Sequence, residues 1–340
     1  MLDQLVSNAL IPDPFIRIGI RRLLAQRLEE IQQPNPEALK KYKKEFIDQC
    51  KKAPIAVQTR DANEQHYEVP TEFYLYALGP NLKYSCAYFE EGDDLGEAEE
   101  KMLLKTVQTA KLQNGDKILE LGCGWGSLSL FMAKKFPDSS ITAVSNSATQ
   151  KKYIDEKAER LGLKNLKIIT ADMNVFNTEE KFDRVVSVEM FEHMRNHSTL
   201  LNKISGWLKP HGTLFVHIFV HKDTPYLFEV KDDSDWMSKY FFSGGMMPSD
   251  DYFTYYPENF KLVDHVQYNG IHYSKTAEAW LQNMDKNKKK IREIFENHYG
   301  AKDATKWIEY WRIFFMSCSE LWKYNDGKEW LVSHYLMEKK

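Results

Sequence analysis

At 340 residues, with 43% hydrophobic and 13% aromatic side chains, the chain is long enough for one large domain or a core with an appendage. A net charge of −3 gives no general attraction to nucleic acid. The four cysteines (Cys50, Cys86, Cys123, Cys318) form no CxxC pair, which argues against a zinc site and a disulfide framework and for a reducing compartment. No apolar run is long enough to span a bilayer, and Met1-Leu2-Asp3-Gln4 does not start like a signal peptide. The expected location is the cytoplasm.

The first 60 residues read as helices. Asp13-Pro14 offers a cap followed by a first-turn proline, and Ile16, Ile20, Leu23, Leu24, Leu28 and Ile31 recur at helical spacing. Pro34-Asn35-Pro36 ends that helix and starts another, with Leu39, Tyr42, Phe46 and Cys50 on one side. Residues 14–60 hold eleven Lys/Arg against five Asp/Glu, either a solvated helical face or a surface for anionic lipid or ligand. Residues 61–90 are mixed and aromatic, an irregular connection suited to covering a ligand site. Residues 1–90 are therefore expected to form a helical N-terminal cap and active-site cover.

From about residue 97, helices alternate with short apolar strands, the pattern of a parallel sheet. Strands are expected at Lys117–Leu121, Ser140–Val144, Leu166–Thr170, Phe182–Val188 and Thr213–Val220, with a helix from near Ser147 to Gly162. Later strands are expected at Phe260–Tyr268 and Glu329–Met337, with a helix-rich stretch over 276–323. Residues 91–340 thus read as a Rossmann-like α/β core carrying inserted segments at about 221–259 and 270–325.

The sharpest local signal is Lys117-Ile-Leu-Glu-Leu-Gly-Cys-Gly-Trp-Gly126, a strand running into Gly122, Gly124 and Gly126. Glycines let the backbone turn tightly and approach a ligand closely. The spacing is GxGxG, with Ser127 where a dinucleotide fingerprint needs its third glycine. Glu120 precedes the turn and suits a cationic ligand better than a pyrophosphate. S-adenosylmethionine, with a sulfonium and an ammonium and no phosphate, fits that description. The second strand ends in Val144-Ser145-Asn146, where Asn146 or a nearby hydroxyl can bond a ribose, with Gln150 one turn on. Asp172, after the third strand, can accept from an adenine amino group while Met173 packs on the ring.

Tyr84-Ser-Cys-Ala-Tyr-Phe89, the Glu-Leu-Gly-Cys-Gly-Trp-Gly turn, Ser145-Asn146 with Gln150, and Glu189-Met-Phe-Glu-His-Met194 together resemble the cyclopropane-fatty-acid-synthase superfamily of methyltransferases. Within it the chain is most similar to the coclaurine N-methyltransferase branch, with matching pieces from Tyr67-Glu68-Val69-Pro70 to Tyr324-Asn-Asp-Gly-Lys-Glu-Trp330. The resemblance implies a seven-stranded class I methyltransferase sheet with helices on both faces. It further implies that Ser85, Gly122, Gly124, Asn146, Gln150, Asp172, Met173 and Val188 contact S-adenosylmethionine. Where relatives often have Thr before Asn or Leu, this chain has Ser145 before Asn146.

Methyl transfer from a sulfonium is an in-line displacement that needs the acceptor aligned with a free lone pair. Glu189, Glu192 and His193 stand at i, i+3 and i+4, so a helix there would present two carboxylates and an imidazole on one face. The plainer reading is an acid cluster at a helix N-terminus. Resemblance to the N-methyltransferases implies Glu192 and His193 as the catalytic pair, with Tyr67 and Glu68 at the pocket for a small amine, expected to be aromatic. The cyclopropane synthases instead resemble one another in holding a bicarbonate base, and the matching set here is Cys86, Glu192, His217 and Tyr273. That alternative implies a lipid alkene acceptor, with the basic N-terminal helices on a membrane surface; against it, position 189 is usually small in that branch. Trp236, Phe241, Phe242 and Tyr273 can box a flat or cationic acceptor or simply fill a core. Cys318 matches a suspected nucleophile, but direct methyl transfer needs no covalent intermediate and an apolar-flanked cysteine reads as core. The expected partner is a small amine or a lipid, with no metal and no nucleic acid, and room is left for a homodimer.

Overall fold

The computed structural model describes residues 11–57, 69–230 and 235–340. Helix α1 (Asp13–Ile31) starts after Pro12, and Asp13 does not cap it. Its carboxylate is taken instead by the Arg312 guanidinium, at 2.8 and 3.1 Å. Helix α2 (Pro36–Cys50) is capped as its sequence suggests, with the Asn35 side chain accepting from Ala38 N–H at 2.9 Å. Much of the positive charge in this region meets acids from later in the chain: Arg17 with Glu278 and Glu320, Arg27 with Asp235, Lys43 with Asp251.

The rest of the chain runs through α3 (Thr71–Ala77), α4 (Leu95–Thr109), β1 (Lys117–Leu121), α5 (Ser127–Lys135), β2 (Ser140–Ser145), α6 (Ala148–Arg160), β3 (Leu166–Thr170), β4 (Phe182–Val188), α7 (His197–Trp207), β5 (Leu208–His221), β6 (Tyr226–Leu227), α8 (Trp236–Tyr240), β7 (Met246–Met247), β8 (Phe260–Tyr268), α9 (Ile271–Lys286), α10 (Lys288–Tyr299), α11 (Ala301–Trp322) and β9 (Trp330–Lys339). Seven strands form one sheet in the order β3-β2-β1-β4-β5-β9-β8. Strands β1 to β5 pair in parallel, and β9 inserts antiparallel between β5 and β8. The late strands do form one side of the sheet, but only β9 is reversed, and the final strand lies inside the earlier one.

Strands β1 and β2 are buried on both faces and are mostly apolar, with Glu120 in β1 and Thr142 in β2 as buried polar exceptions. One apolar cluster lies under each face. A third joins Ile20 and Ile31 of α1 with Phe73 of α3, Trp280 of α9 and Trp311 and Phe315 of α11. Helix α2 packs elsewhere, with Phe46, Ile47 and Cys50 against the sheet-side cluster. The two N-terminal helices therefore share their cores with the segments after β5 and with the sheet, and the carboxyl ends of β1 to β4 open into the space between. Among the described residues no helix is long and apolar enough to cross a membrane.

Candidate active site

A cavity of about 220 Å³ opens at the carboxyl ends of β1 to β4. Its floor is the glycine turn. Gly122 has φ +78°, and a Cβ there would strike the Met190 side chain at 2.5 Å. Gly124 has φ +51°, and a Cβ there would meet nothing within 4 Å, so its bare face looks into open space. Ser85, Gly122, Gly124, Asn146, Gln150, Asp172, Met173 and Val188 all line this one cavity.

The polar lining matches a cationic nucleoside better than a dinucleotide. Four carboxylates (Glu120, Asp172, Glu189, Glu192) face it, and Lys83 is the single Lys or Arg side chain among the described lining residues. A pyrophosphate would meet mostly like charge. Glu120 accepts from Ser129 Oγ at 2.5 Å, and burial pushes its carboxyl up to about 7. Gln150 is buried with Oε1 bonded to Ser145 Oγ at 2.7 Å, while its Nε2 has no partner, and neither has Ser127 Oγ. Buried donors without partners are costly, so these atoms fit a ligand that accepts from them.

The chemistry-bearing residues follow β4. They do not lie on an α-helix: Glu189 takes φ +45°, and a single 3-10 turn, Phe191–His193, follows. That left-handed residue turns the Glu189 carboxylate back toward the sheet. Oε1 accepts from Cys86 N–H at 2.9 Å and pairs with His217 Nε2 at 3.1 Å, and Oε2 accepts from Tyr273 O–H at 2.5 Å. Burial raises the Glu189 carboxyl to about 7, against the Lys83 charge and the hydrogen bonds from Tyr273 and Cys86. Three of the four residues expected to hold bicarbonate (Cys86, His217, Tyr273) thus hold the protein's own carboxylate.

Glu192 is only 1% exposed, its Oε2 has no partner, and burial followed by the Glu189 charge drives its carboxyl well above the usual range. His193 is half-buried, with its ring 5.6 Å from that of Phe242 and parallel within 1°.

Several expected lining residues stand behind the wall. Phe241 is buried in the core, stacked on Phe314 at 4.4 Å, because the backbone aims its neighbour Phe242 at the cavity instead. Trp236 packs on Tyr310. His217 is fully buried beneath Glu189, and the Cys86 thiol points at the Ala87 carbonyl, leaving the Cys86 amide as its contribution. Cys318 does line the cavity, but burial raises its thiol far above the range in which a thiolate forms. Tyr67 and Glu68 lie outside the described residues. Lys83 is a further lining residue that no sequence motif marks. It is 2% exposed, and its ammonium donates to Ser85 Oγ at 2.5 Å and Cys86 O at 2.6 Å. Its only signal is adjacency to Tyr84-Ser85-Cys86.

Residues 56–328 match the family model described as mycolic acid cyclopropane synthetase. (S)-Coclaurine N-methyltransferase of Papaver somniferum is 38% identical, over 99% of this chain and 98% of that protein, and its counterpart in Thalictrum flavum subsp. glaucum is 37% identical over 97% and 93%. A crystal structure of coclaurine N-methyltransferase bound to N-methylheliamine and SAH superposes with a TM-score of 0.97 at 38% identity, covering 99% of both chains. A cyclopropane synthase from Mycobacterium tuberculosis shares the fold, with a TM-score of 0.71 at 21% identity over 84% of this chain and 99% of that one. With the glycine turn, the acid-lined cavity and the sheet order already in place, these likenesses make the chain a member of the mycolic acid cyclopropane synthetase family and an S-adenosylmethionine-dependent methyltransferase.

Proposed function

We propose that the enzyme transfers the methyl group to the nitrogen of a small, aromatic amine, in the manner named for its coclaurine N-methyltransferase relatives. The observation that carries this reading is the seat of Glu189. Its carboxyl group occupies the Cys86 N–H, the His217 Nε2 and the Tyr273 O–H that the alkene reaction would need for bicarbonate. Alkene methylation leaves a carbocation whose proton a bicarbonate must remove, and that seat is filled.

When bound, S-adenosylmethionine supplies an electrophilic methyl group on a sulfonium. Ser85, the Gly122–Gly124 turn, Asn146, Gln150, Asp172, Met173 and Val188 are the residues that would hold it, with Gln150 Nε2 and Ser127 Oγ gaining the partners they lack.

A secondary amine arrives mostly as an ammonium. The Glu192 carboxylate, whose Oε2 has no partner, gains in that cation the counter-charge that its burial demands. His193 then takes the proton, freeing the lone pair, while Glu192 and Glu189 keep the field negative around the site. Phe242, stacked on His193, and Tyr273, whose ring stacks on Trp322 at 4.8 Å, form aromatic walls suited to an aromatic cation. Tyr67 and Glu68 complete the amine pocket in this proposal, residues 1–90 act as its cover, and segments 221–259 and 270–325 bind the acceptor. We place the enzyme in the cytoplasm, where its four free thiols stay reduced.

Incubation with labelled S-adenosylmethionine and separate pools of aromatic secondary amines and unsaturated phospholipids tests the reading. Label in N-methyl amines, with no dependence on added bicarbonate, supports it. Label confined to the acyl chains would overturn it.

A further inference from the structure

Behind Glu189, on the side away from the cavity, hydrogen-bonding side chains continue along one face of the sheet. His217 on β5 and His334 on β9 are register partners, so their side chains project side by side from one face. His217 meets Glu189 Oε1 through Nε2, and its Nδ1 stands 2.8 Å from His334 Nε2. His334 Nδ1 then reaches Thr109 Oγ1 at 3.4 Å, at the last residue of α4. Both imidazoles are fully buried, whereas Thr109 is partly exposed. One chain of four groups therefore joins a carboxylate in the cavity to the partly exposed Thr109 at the end of α4. Two neutral imidazoles used only as filler would need no shared orientation. Here each ring nitrogen has a partner in line.

We propose that Glu189, His217, His334 and Thr109 form a proton relay that lets Glu189 exchange its proton with solvent while the cavity is closed by its ligands. With Glu189 protonated, its O–H donates to His217 Nε2, His217 Nδ1–H to His334 Nε2, and His334 Nδ1–H to Thr109 Oγ1. Arrival of a cationic amine favours the carboxylate. The carboxyl proton moves to His217 Nε2, the Nδ1 proton of His217 to His334 Nε2, and the Nδ1 proton of His334 to Thr109. The Thr109 hydroxyl releases its own proton to solvent. One proton leaves, both rings end as the Nε2–H tautomer, and neither needs to carry a net charge. Departure of the methylated ammonium runs the relay backwards.

The charged and titratable surroundings suit neutral rings. Lys83 on the cavity side and Lys105 on α4 both disfavour an imidazolium, and burial drives both histidines well below their usual range. Cys86, Tyr273 and Tyr268 are held neutral by burial. Glu189, raised to about 7, is the member of the chain that titrates near neutral pH.

The amine-binding step rests on the function proposed above; the relay itself can be read without any acceptor. In ¹⁵N-histidine-labelled protein, His217 and His334 should pass together from Nδ1–H to Nε2–H as pH rises through the Glu189 titration, and Glu189→Gln should abolish the change. Tautomers that stay fixed across that range overturn the relay, whatever the acceptor. With an amine that the enzyme methylates, and demethylated cofactor present to prevent turnover, an indicator dye should show proton release keeping pace with binding. In His334→Gln, or in the milder Thr109→Val, release should lag binding by an order of magnitude. Equal slowing of both signals, as a structural defect would give, overturns the relay, as does no lag in either variant. Absence of any N-methylated product with the tautomer change intact would count against the amine reading alone.

Discussion

Glu189 and Glu192 stand three positions apart and face one cavity, yet they are held in opposite ways. Both oxygens of Glu189 accept hydrogen bonds, whereas Glu192 Oε2 accepts none. One carboxylate is fixed by the protein. The other is left for a ligand.

Glu192→Gln removes the charge that a bound ammonium would satisfy. We expect turnover to fall by about 10²–10⁴-fold, and His193→Ala to fall within the same range as loss of a base should. Steady-state kinetics check this, after calorimetry has shown that each variant binds the cofactor. An active Glu192→Gln enzyme would remove that carboxylate from the reaction.

Glu189→Ala vacates the seat formed by Cys86 N–H, His217 and Tyr273. Wild-type turnover should be indifferent to bicarbonate. The variant should be impaired, and bicarbonate or acetate should restore part of the rate, because the unpaired buried Cys86 N–H and Tyr273 O–H, with His217 beside them, favour a small carboxylate. Rates measured with and without the additives decide it.

Tyr273→Phe deletes a hydrogen bond to Glu189 that favours the ionised carboxylate. The carboxyl, already raised to about 7 by burial, should then rise further. If the ionised form is required, activity is lost as pH falls through that value, so the acidic limb of kcat/KM should move to higher pH. An unmoved limb would separate Glu189 from the pH dependence.

Burial raises Glu120 to about 7, so the folded protein keeps a proton there that the unfolded chain gives up near 4.5. Its contribution to stability is therefore present below 4.5 and lost as pH rises through about 7. Binding of a cationic cofactor reverses the balance, because it favours the carboxylate. Affinity for S-adenosylmethionine should strengthen as pH rises through that value, with proton release, and Glu120→Gln should bind weakly and independently of pH. Titration calorimetry in two buffers of different ionisation enthalpy reads both quantities.

Phe241 and Phe242 are adjacent in sequence and opposite in consequence. Phe241→Ala empties a core position against Phe314 and should cost roughly 3–5 kcal/mol of stability. Phe242→Ala removes a cavity wall beside His193 and should raise the acceptor KM with a smaller change in Tm. Thermal melts and kinetics on the pair distinguish them.

Much of the sheet was legible because parallel strands buried on both faces must be short, mostly apolar runs, as at Ile118–Leu121 and Ile141–Val144, which Glu120 and Thr142 alone interrupt. The cofactor floor was legible for a related reason: Gly122 and Gly124 adopt backbone angles that other residues avoid, and Asn146, Asp172 and Val188 mark strand ends that a parallel sheet gathers at one edge. The catalytic region was half legible. The spacing of Glu189, Glu192 and His193 suits a helical face, but Glu189 sits in the left-handed region, which no helical periodicity describes. Its partners Cys86, His217 and Tyr273 come from three other segments, Tyr273 lying 84 residues away. Which carboxylate is satisfied, which lysine is buried and which of two adjacent phenylalanines faces the ligand depend on long-range packing. Local propensity and spacing carry no information about them, so only the tertiary structure decided these points.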